Sequence, residues 1–454
     1  PTRRSSDLTE SSACSGEALG RDFRDAEEII NKIICGDFQQ FHIYNYTKVS
    51  ATNYELSDFS MKKHIVLLTT WRTISSVGGT EKVLCDMANA LIERSYDVTI
   101  ICFETNRGLP EFPLNKDVKF INVFDKFPSK SLELSIHEKL KYFSFNKIKR
   151  KNYRYIARSQ KLSNALKTIL NSISKIDLFI SFTPESSYLL SKIINNDTPH
   201  PPVVTMYHFN PDTFIGEWNY EHFHKYAVSK SDIVQVLMPE YIKIAQRLHP
   251  ATKVLCIPNI APFQKSDSLP PLTSKKIINI ARISEQKRPE LLIRAFAIIK
   301  DKYPDWICEW WGEITVDPSL TNEVQNLINK LNLNNRFFLK GTTKNAKNEL
   351  CNASIFAFPS KFEGQSLSLL EAMSIGLPTI GCLDCPSVNT IIRDHKNGIL
   401  SSPSPESYAM ALEELIFDKE LRIRLGNQAK IDMQQYSPEK IWSHWTSIIE
   451  ELTS

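Results

Sequence analysis

From position 61 onward the chain alternates two patterns of apolar spacing. Short runs rich in β-branched and other apolar residues fall at 64–70, 97–103, 118–123, 177–182, 202–206, 233–237 and 253–257, each the length of a buried strand. Between the first two, TEKVLCDMANALIER places Val83, Leu84, Met87, Ala88, Leu91 and Ile92 on one face at helical spacing. Strand, helix, strand in that order is a βαβ unit. A Pro- and Ser-rich stretch at 262–275 reads as a linker, and the alternation then restarts. Strands are predicted at 276–281, 306–311, 336–339, 354–358 and 378–381, and helices at 289–301, 319–331, 346–351 and 366–375. This is the pattern of an α/β protein with parallel sheets, built as two similar halves, 61–262 and 276–436, that face a central cleft. Residues 437–454 are expected to form a C-terminal helix returning to the first half, amphipathic over 437–452, with Ser437 as N-cap and Pro438 at its first position.

Composition narrows the function classes. With 454 residues and 42% hydrophobic content the chain is long and apolar enough for two or three cored domains. Its 55 Lys and Arg against 51 Asp and Glu give a formal charge of +4, too mild to imply nucleic acid unless the charge is clustered. The apolar runs are strand-length and fall short of the roughly 18–20 residues of a membrane helix. The nine cysteines are scattered through apolar contexts, which suggests a reducing, cytoplasmic setting, and the lone Cys382/Cys385 pair lacks the second pair a zinc site needs. Met61 opens MKKHIVLLTTW, which reads as a natural start. Residues 1–60 are therefore expected to be an N-terminal extension of artefactual origin or the end of another reading frame. They receive no function, although 25–38 has the composition of one helix.

Candidate chemistry sits where strands exit. Gly78 and Gly79 lie between the first strand and its helix, where backbone amides at a helix start suit an anion; a tight turn is the plainer reading. Arg282 ends the strand 276–281, and Lys287 follows five residues later before a helix that Pro289 can start. Two fixed cations in such a loop can clamp a diphosphate, unless the loop is only a solvated basic one. In FPSKFEGQSLSLLEAMSIGLP, Glu363 and Glu371 are separated by seven residues, the first beside Gly364 and the second inside the following helix. Carboxylates accept paired hydroxyl donors and so suit sugar and ribose diols, while the free amides of that helix suit phosphate oxygens. The alternative is a capping Glu and an ion-paired helical Glu.

FEGQSLSLLEAMSIGLP resembles the Glu, seven residues, Glu signature of retaining GT-B glycosyltransferases, the large group 1 family that builds bacterial surface polysaccharides and lipid-linked glycans. SSVGGTEKVLCDMANALIERSYDV, IPNIAPF, IARISEQKRPELLIRAF and ASIFAFPS look like that family's other blocks in the same order, so the likeness spans about 61–450. It implies a GT-B fold of two Rossmann-like domains, the first binding acceptor and the second a nucleotide-sugar, expected to be a UDP-sugar. Carried over by position, Glu363 would hold donor-sugar hydroxyls, Glu371 the ribose, and Arg282 and Lys287 the diphosphate. Gly79 would face the reaction centre, with Gly78 beside it. His208, at the end of VVTMYHF, would contact donor sugar and acceptor, and Gly341 would read the base. Gly364, Ser366, Leu367 and Ser368 complete the donor loop. Gly312 departs from the family's usual Gly, one residue, Gly, because Glu313 and Ile314 follow it.

The implied chemistry is front-face transfer without metal or cofactor, and no Asp-x-Asp occurs in the chain. The stretch 139–161 carries nine Lys or Arg, no acid and interleaved aromatics. It is read either as a surface for anionic lipid headgroups, which would place the protein peripherally on the inner face of the plasma membrane, or as a solvated helix face with its aromatics in the core. Two rival functions stay open at this point: a GT-B epimerase or hydrolase, and a non-catalytic sugar-nucleotide-binding subunit.

Overall fold

A computed structural model describes residues 62–454 except 75, 142, 144, 146, 196–197, 213–225 and 264–269. The helix expected at 25–38 lies outside the described residues, as do parts of the basic stretch.

Two parallel sheets organise the described chain. The first contains β1 (His64–Leu68), β2 (Asp97–Cys102), β3 (Lys119–Asn122), β4 (Leu178–Ser181), β5 (Val203–Tyr207), β6 (Ile233–Val236) and β7 (Lys253–Cys256), in the order β3-β2-β1-β4-β5-β6-β7. The second contains β8 (Lys276–Ile280), β9 (Ile307–Trp311), β10 (Phe337–Gly341), β11 (Ile355–Ala357), β12 (Thr379–Cys382) and β13 (Ile399–Ser401), in the order β10-β9-β8-β11-β12-β13. Each strand order reverses direction once, between β1 and β4 and between β8 and β11. In open α/β sheets that switch opens a crevice beyond the carboxyl ends of the strands. The loops after β1, β8 and β11 hold Gly78, Arg282 and Glu363, so the topology alone brings the sequence candidates to the two crevices.

Apolar side chains cover both faces of the first sheet. Ile65, Leu67, Leu84 and Leu91 pack on one side, and Val66, Leu68, Leu166 and Phe179 on the other. The helix Pro438–Thr453 adds Ile441, Trp442, Trp445, Ile448 and Ile449 to the first of these clusters, so the chain's last helix packs on the first lobe. Its ion pairs to Lys63 and Lys253 are partly exposed. Exposed pairs contribute about 0–1 kcal/mol, against about 1.5–3 kcal/mol for each large buried apolar side chain, so packing anchors this helix. The lobes also share a core: Tyr207, Val236, Leu237 and Tyr241 of the first lobe pack in one cluster with Phe356, Phe358, Leu369 and Leu370 of the second.

The first strand ends at Leu68, two residues before its predicted end, although Thr69 N–H still donates to the Ile101 carbonyl of β2 at 3.0 Å. β13, only three residues long, was missed: the sequence offers no longer apolar run there. Among the described residues no helix is long and apolar enough to cross a membrane.

Candidate functional site

The loop after β11 is fixed on several sides. Lys361 N–H donates to the Gln286 carbonyl (2.8 Å), and the Gln286 amide donates to the Phe362 carbonyl (2.7 Å). The Lys287 ammonium meets Glu363 Oε1 at 2.6 Å, with side-chain exposures of 14% and 8%. This pairing ties the short turn Glu285–Lys287 to the Glu363 loop. Arg288 is occupied elsewhere, donating to both carboxylate oxygens of Asp384. Arg282, by contrast, is exposed at the cleft and makes no hydrogen bond or close ion pair among the described residues.

Gly364 has a specific steric cause. A Cβ there would lie 2.0 Å from the His208 carbonyl oxygen, and one at Gly79 would lie 3.5 Å from Leu367. The two lobes therefore touch backbone to backbone at the centre of the site. Beyond Gly364, Gln365 Oε1 accepts from Asn259 N–H (2.6 Å) and the Asn259 side-chain amide donates to the Gln365 carbonyl (3.0 Å). Ser366 then opens the helix Leu367–Ser374 without a side-chain cap, leaving its first amides free to meet a ligand. The helix Gly79–Glu93 also lacks a side-chain cap, whereas Ser135, Thr183, Asp317, Ser404 and Ser437 cap theirs.

These elements enclose one cleft of about 950 Å³, within the range of small-molecule sites. It is lined by Gly78, Gly79, His208, Arg282, Lys287, Gly312, Glu363, Gly364, Ser366, Leu367, Ser368 and Glu371. Gly341 sits just behind the wall. Its carbonyl accepts from Gly312 N–H at 2.7 Å, and its neighbours Thr342 and Thr343 face the cleft. Gly312 has φ +143°, and a Cβ there would lie 2.1 Å from the Ala281 oxygen, so the turn requires glycine despite the residues that follow it.

The family profile described as "Glycosyl transferases group 1" matches residues 261–432, and "Glycosyltransferase Family 4" matches 77–260. The chain belongs to the group 1 glycosyltransferases. An uncharacterized glycosyltransferase of Haemophilus influenzae is 26% identical over 83% of this chain and 97% of its own length. The amylovoran biosynthesis glycosyltransferase AmsD of Erwinia amylovora is 22% identical over the same shares. A single-residue mutant of S. aureus TarM, in a structure with fondaparinux, alpha-GlcNAc-glycerol and UDP, matches with a TM-score of 0.66 at 16% identity, covering 85% of this chain and 99% of that one. At that identity the likeness shows the two-domain Rossmann-like GT-B fold.

In this glycosyltransferase the buried titratable groups of the cleft are shifted by desolvation. Glu371 is 6% exposed, and burial raises its pKa from 4.5 to about 7; Lys82 lowers it and Asp86 raises it by smaller amounts. Burial lowers His208 to about 4, so its imidazole is neutral near pH 7. Among the described residues its Nε2 has no hydrogen-bond partner, and the ring stacks on Phe182 with centroids 5.3 Å apart.

Sequence reasoning missed Glu81. Its carboxylate folds back toward Gly78, where a Cβ would lie 2.3 Å from Oε2. Burial raises its pKa, and hydrogen bonds from its own amide and Ser76 and the charge of Arg282 oppose the rise. The helix start expected to receive a ligand anion beside the Gly78–Gly79 turn therefore already holds the protein's own carboxylate, on the Glu81 amide. The signal was present, a carboxylate two positions after the glycine pair, but only the fold shows which way it turns.

Glu371 supplies a test of this electrostatic reading. Because its folded pKa lies above its unfolded value, its contribution to stability is full below about pH 4.5 and is lost as pH rises through about 7. Glu371→Gln removes this titration. Urea unfolding is expected to show the variant gaining on the wild type by up to about 3 kcal/mol between acidic and mildly alkaline pH; a pH-independent difference contradicts the assignment.

Proposed function

We propose that this glycosyltransferase moves a sugar from a nucleotide-sugar, a UDP-sugar in the first instance, to a saccharide or lipid-linked acceptor in surface polysaccharide synthesis, retaining anomeric configuration and needing no divalent metal. The observation that carries the reading is the convergence of Arg282, the Lys287–Glu363 pair, Glu371 and the uncapped start of the helix Leu367–Ser374 on one cleft between the lobes. The names of AmsD and of TarM's bound ligands favour this substrate class.

In this reading the diphosphate lies against Arg282, Lys287 and the amides following Ser366, whose combined positive character stabilises the departing oxygen. Glu371 accepts the ribose hydroxyls and Glu363 those of the sugar. The acceptor hydroxyl attacks C1 from the face the diphosphate leaves; the C1–phosphate oxygen bond breaks as the new C–O bond forms, and the hydroxyl proton passes to the departing phosphate oxygen. Neutral His208 borders the sugar without adding a charge beside the diphosphate. Two protein cations and the helix amides take the place of a divalent ion.

The segment 139–161 suits an acidic membrane surface beside the acceptor lobe. Ile136, Leu140, Phe143 and Phe145 are exposed between 40% and 74%, and the Arg150 guanidinium lies 5.7 Å from the Phe143 ring centroid. Tyr155 instead stacks toward the interior on Tyr188. Apolar tips flanked by cations match anionic headgroups over acyl chains, each basic residue contributing about 1 kcal/mol.

A screen of nucleotide release from UDP-, GDP- and ADP-sugars tests the enzymatic part. One donor is expected to be used, with a retained anomer and turnover that survives EDTA. Glu363→Gln and Lys287→Ala should each cost about a hundred- to a thousand-fold in kcat. Full activity in either variant, or EDTA loss restored only by a divalent ion, contradicts the scheme. In liposome flotation the protein is expected to rise with anionic vesicles at low salt and to be released by high salt; failure to float with anionic lipid at low salt removes the membrane assignment.

A further inference from the structure

The Glu363 side chain is fixed by Lys287, but its backbone is held by different groups. The Glu363 carbonyl accepts two hydroxyl hydrogen bonds. Ser387, in the helix Pro386–Ile391 of the second lobe, donates at 3.1 Å. Tyr241, in the helix Glu240–Leu248 of the first lobe, donates at 3.0 Å and lies 3.3 Å from the Gly364 carbonyl. Tyr241 is 2% exposed in the core the lobes share, and burial raises its pKa, so it remains a donor throughout the working range. The following residue has little slack, because Gly364 presses on the His208 backbone.

We propose that Tyr241 and Ser387 are positioning residues for Glu363. Two hydroxyls, one from each lobe, hold a single carbonyl so that the carboxylate beside it is aimed at the transferred sugar only when the lobes are docked as they are here. The inference rests on the donor-sugar role given to Glu363 above. Its physical content is that the acceptor-binding lobe completes the sugar subsite of the donor lobe. A displacement of about 1 Å at a reacting group can cost about a hundred-fold in rate, so a lost hydroxyl acts on turnover before it acts on binding. The nucleotide itself, held by Arg282, Glu371 and the helix start at Ser366, does not depend on this carbonyl.

The test uses Tyr241→Phe and Ser387→Ala in the full chain, with Thr390→Val as control. Thr390 Oγ1 donates to Glu240 Oε1 across the lobes at 2.9 Å and, among the described residues, makes no hydrogen bond to the Glu363 loop. Measured are kcat and KM with the donor found by the screen, affinity for the free nucleoside diphosphate by calorimetry, and melting temperature. Tyr241→Phe and Ser387→Ala are each expected to lower kcat about tenfold or more, with nucleoside diphosphate affinity within about twofold of wild type, and Thr390→Val to leave kcat unchanged. The proposal is overturned if Ser387→Ala is silent, if Tyr241→Phe keeps its kcat, or if Thr390→Val loses as much as Tyr241→Phe, since lobe adhesion alone would then explain the effect. A wild-type chain inert with every nucleotide-sugar overturns the donor reading itself, and this inference with it. An active wild type with unaffected variants overturns only the inference.

Discussion

The site turns on one buried ion pair, Lys287 with Glu363 at 2.6 Å. Removing both charges from water costs several kcal/mol per ion, and a pair of this kind is weak evidence of net stabilisation. Truncating one partner strands the other, at about 3–5 kcal/mol. An arrangement that adds little to stability yet is costly to break fits a role in binding or chemistry. The pair also joins the turn after β8 to the loop after β11, the two strands flanking the switch point of the second sheet. Hydrogen bonds from Gln286, Asn259, Tyr241 and Ser387 then hold the loop around that junction.

Charge in the cleft is sorted by partner. Among the described cleft cations, Lys82 pairs with Asp86 four residues on at 2.7 Å and Lys287 with Glu363, whereas Arg282 makes no close ion pair and meets the charge of the more distant Glu81; Lys344 and Lys347 line the cleft as well. Glu81 occupies the front of its own helix, while the helix Leu367–Ser374 has no such carboxylate in its first turn. In the proposed reading, an anion entering the cleft would be directed to the second lobe, and the hydroxyl-bearing ends of the same molecule would fall to Glu363 and Glu371.

Much of this was legible in the sequence. The alternation of strand and helix periods gave both sheets, because buried parallel strands must be apolar along their whole length, and the spacing of Glu363 and Glu371 placed both carboxylates on the cleft side. What was not legible depends on chain segments far apart in sequence. Gly364 reads locally as a loss of bulk, yet its cause is the His208 carbonyl of the other lobe. Asn259 with Gln365, and Tyr241 with the Glu363 carbonyl, are contacts across 106 and 122 positions that no local pattern announces. The shared core of Tyr207, Tyr241, Phe356 and Phe358 was hidden for the same reason: periodicity reports that a side chain is buried, not what buries it.

A crystal structure of the chain with its intact nucleotide-sugar tests the central claim most directly. The account predicts diphosphate oxygens within hydrogen-bonding distance of the Arg282 guanidinium, the Lys287 ammonium and the amides just after Ser366, with the ribose on Glu371, the sugar on Glu363, and Glu81 still folded over Gly78. A diphosphate seated instead on the Gly78–Gly79 amides with Glu81 displaced, or bound outside this cleft, would contradict it.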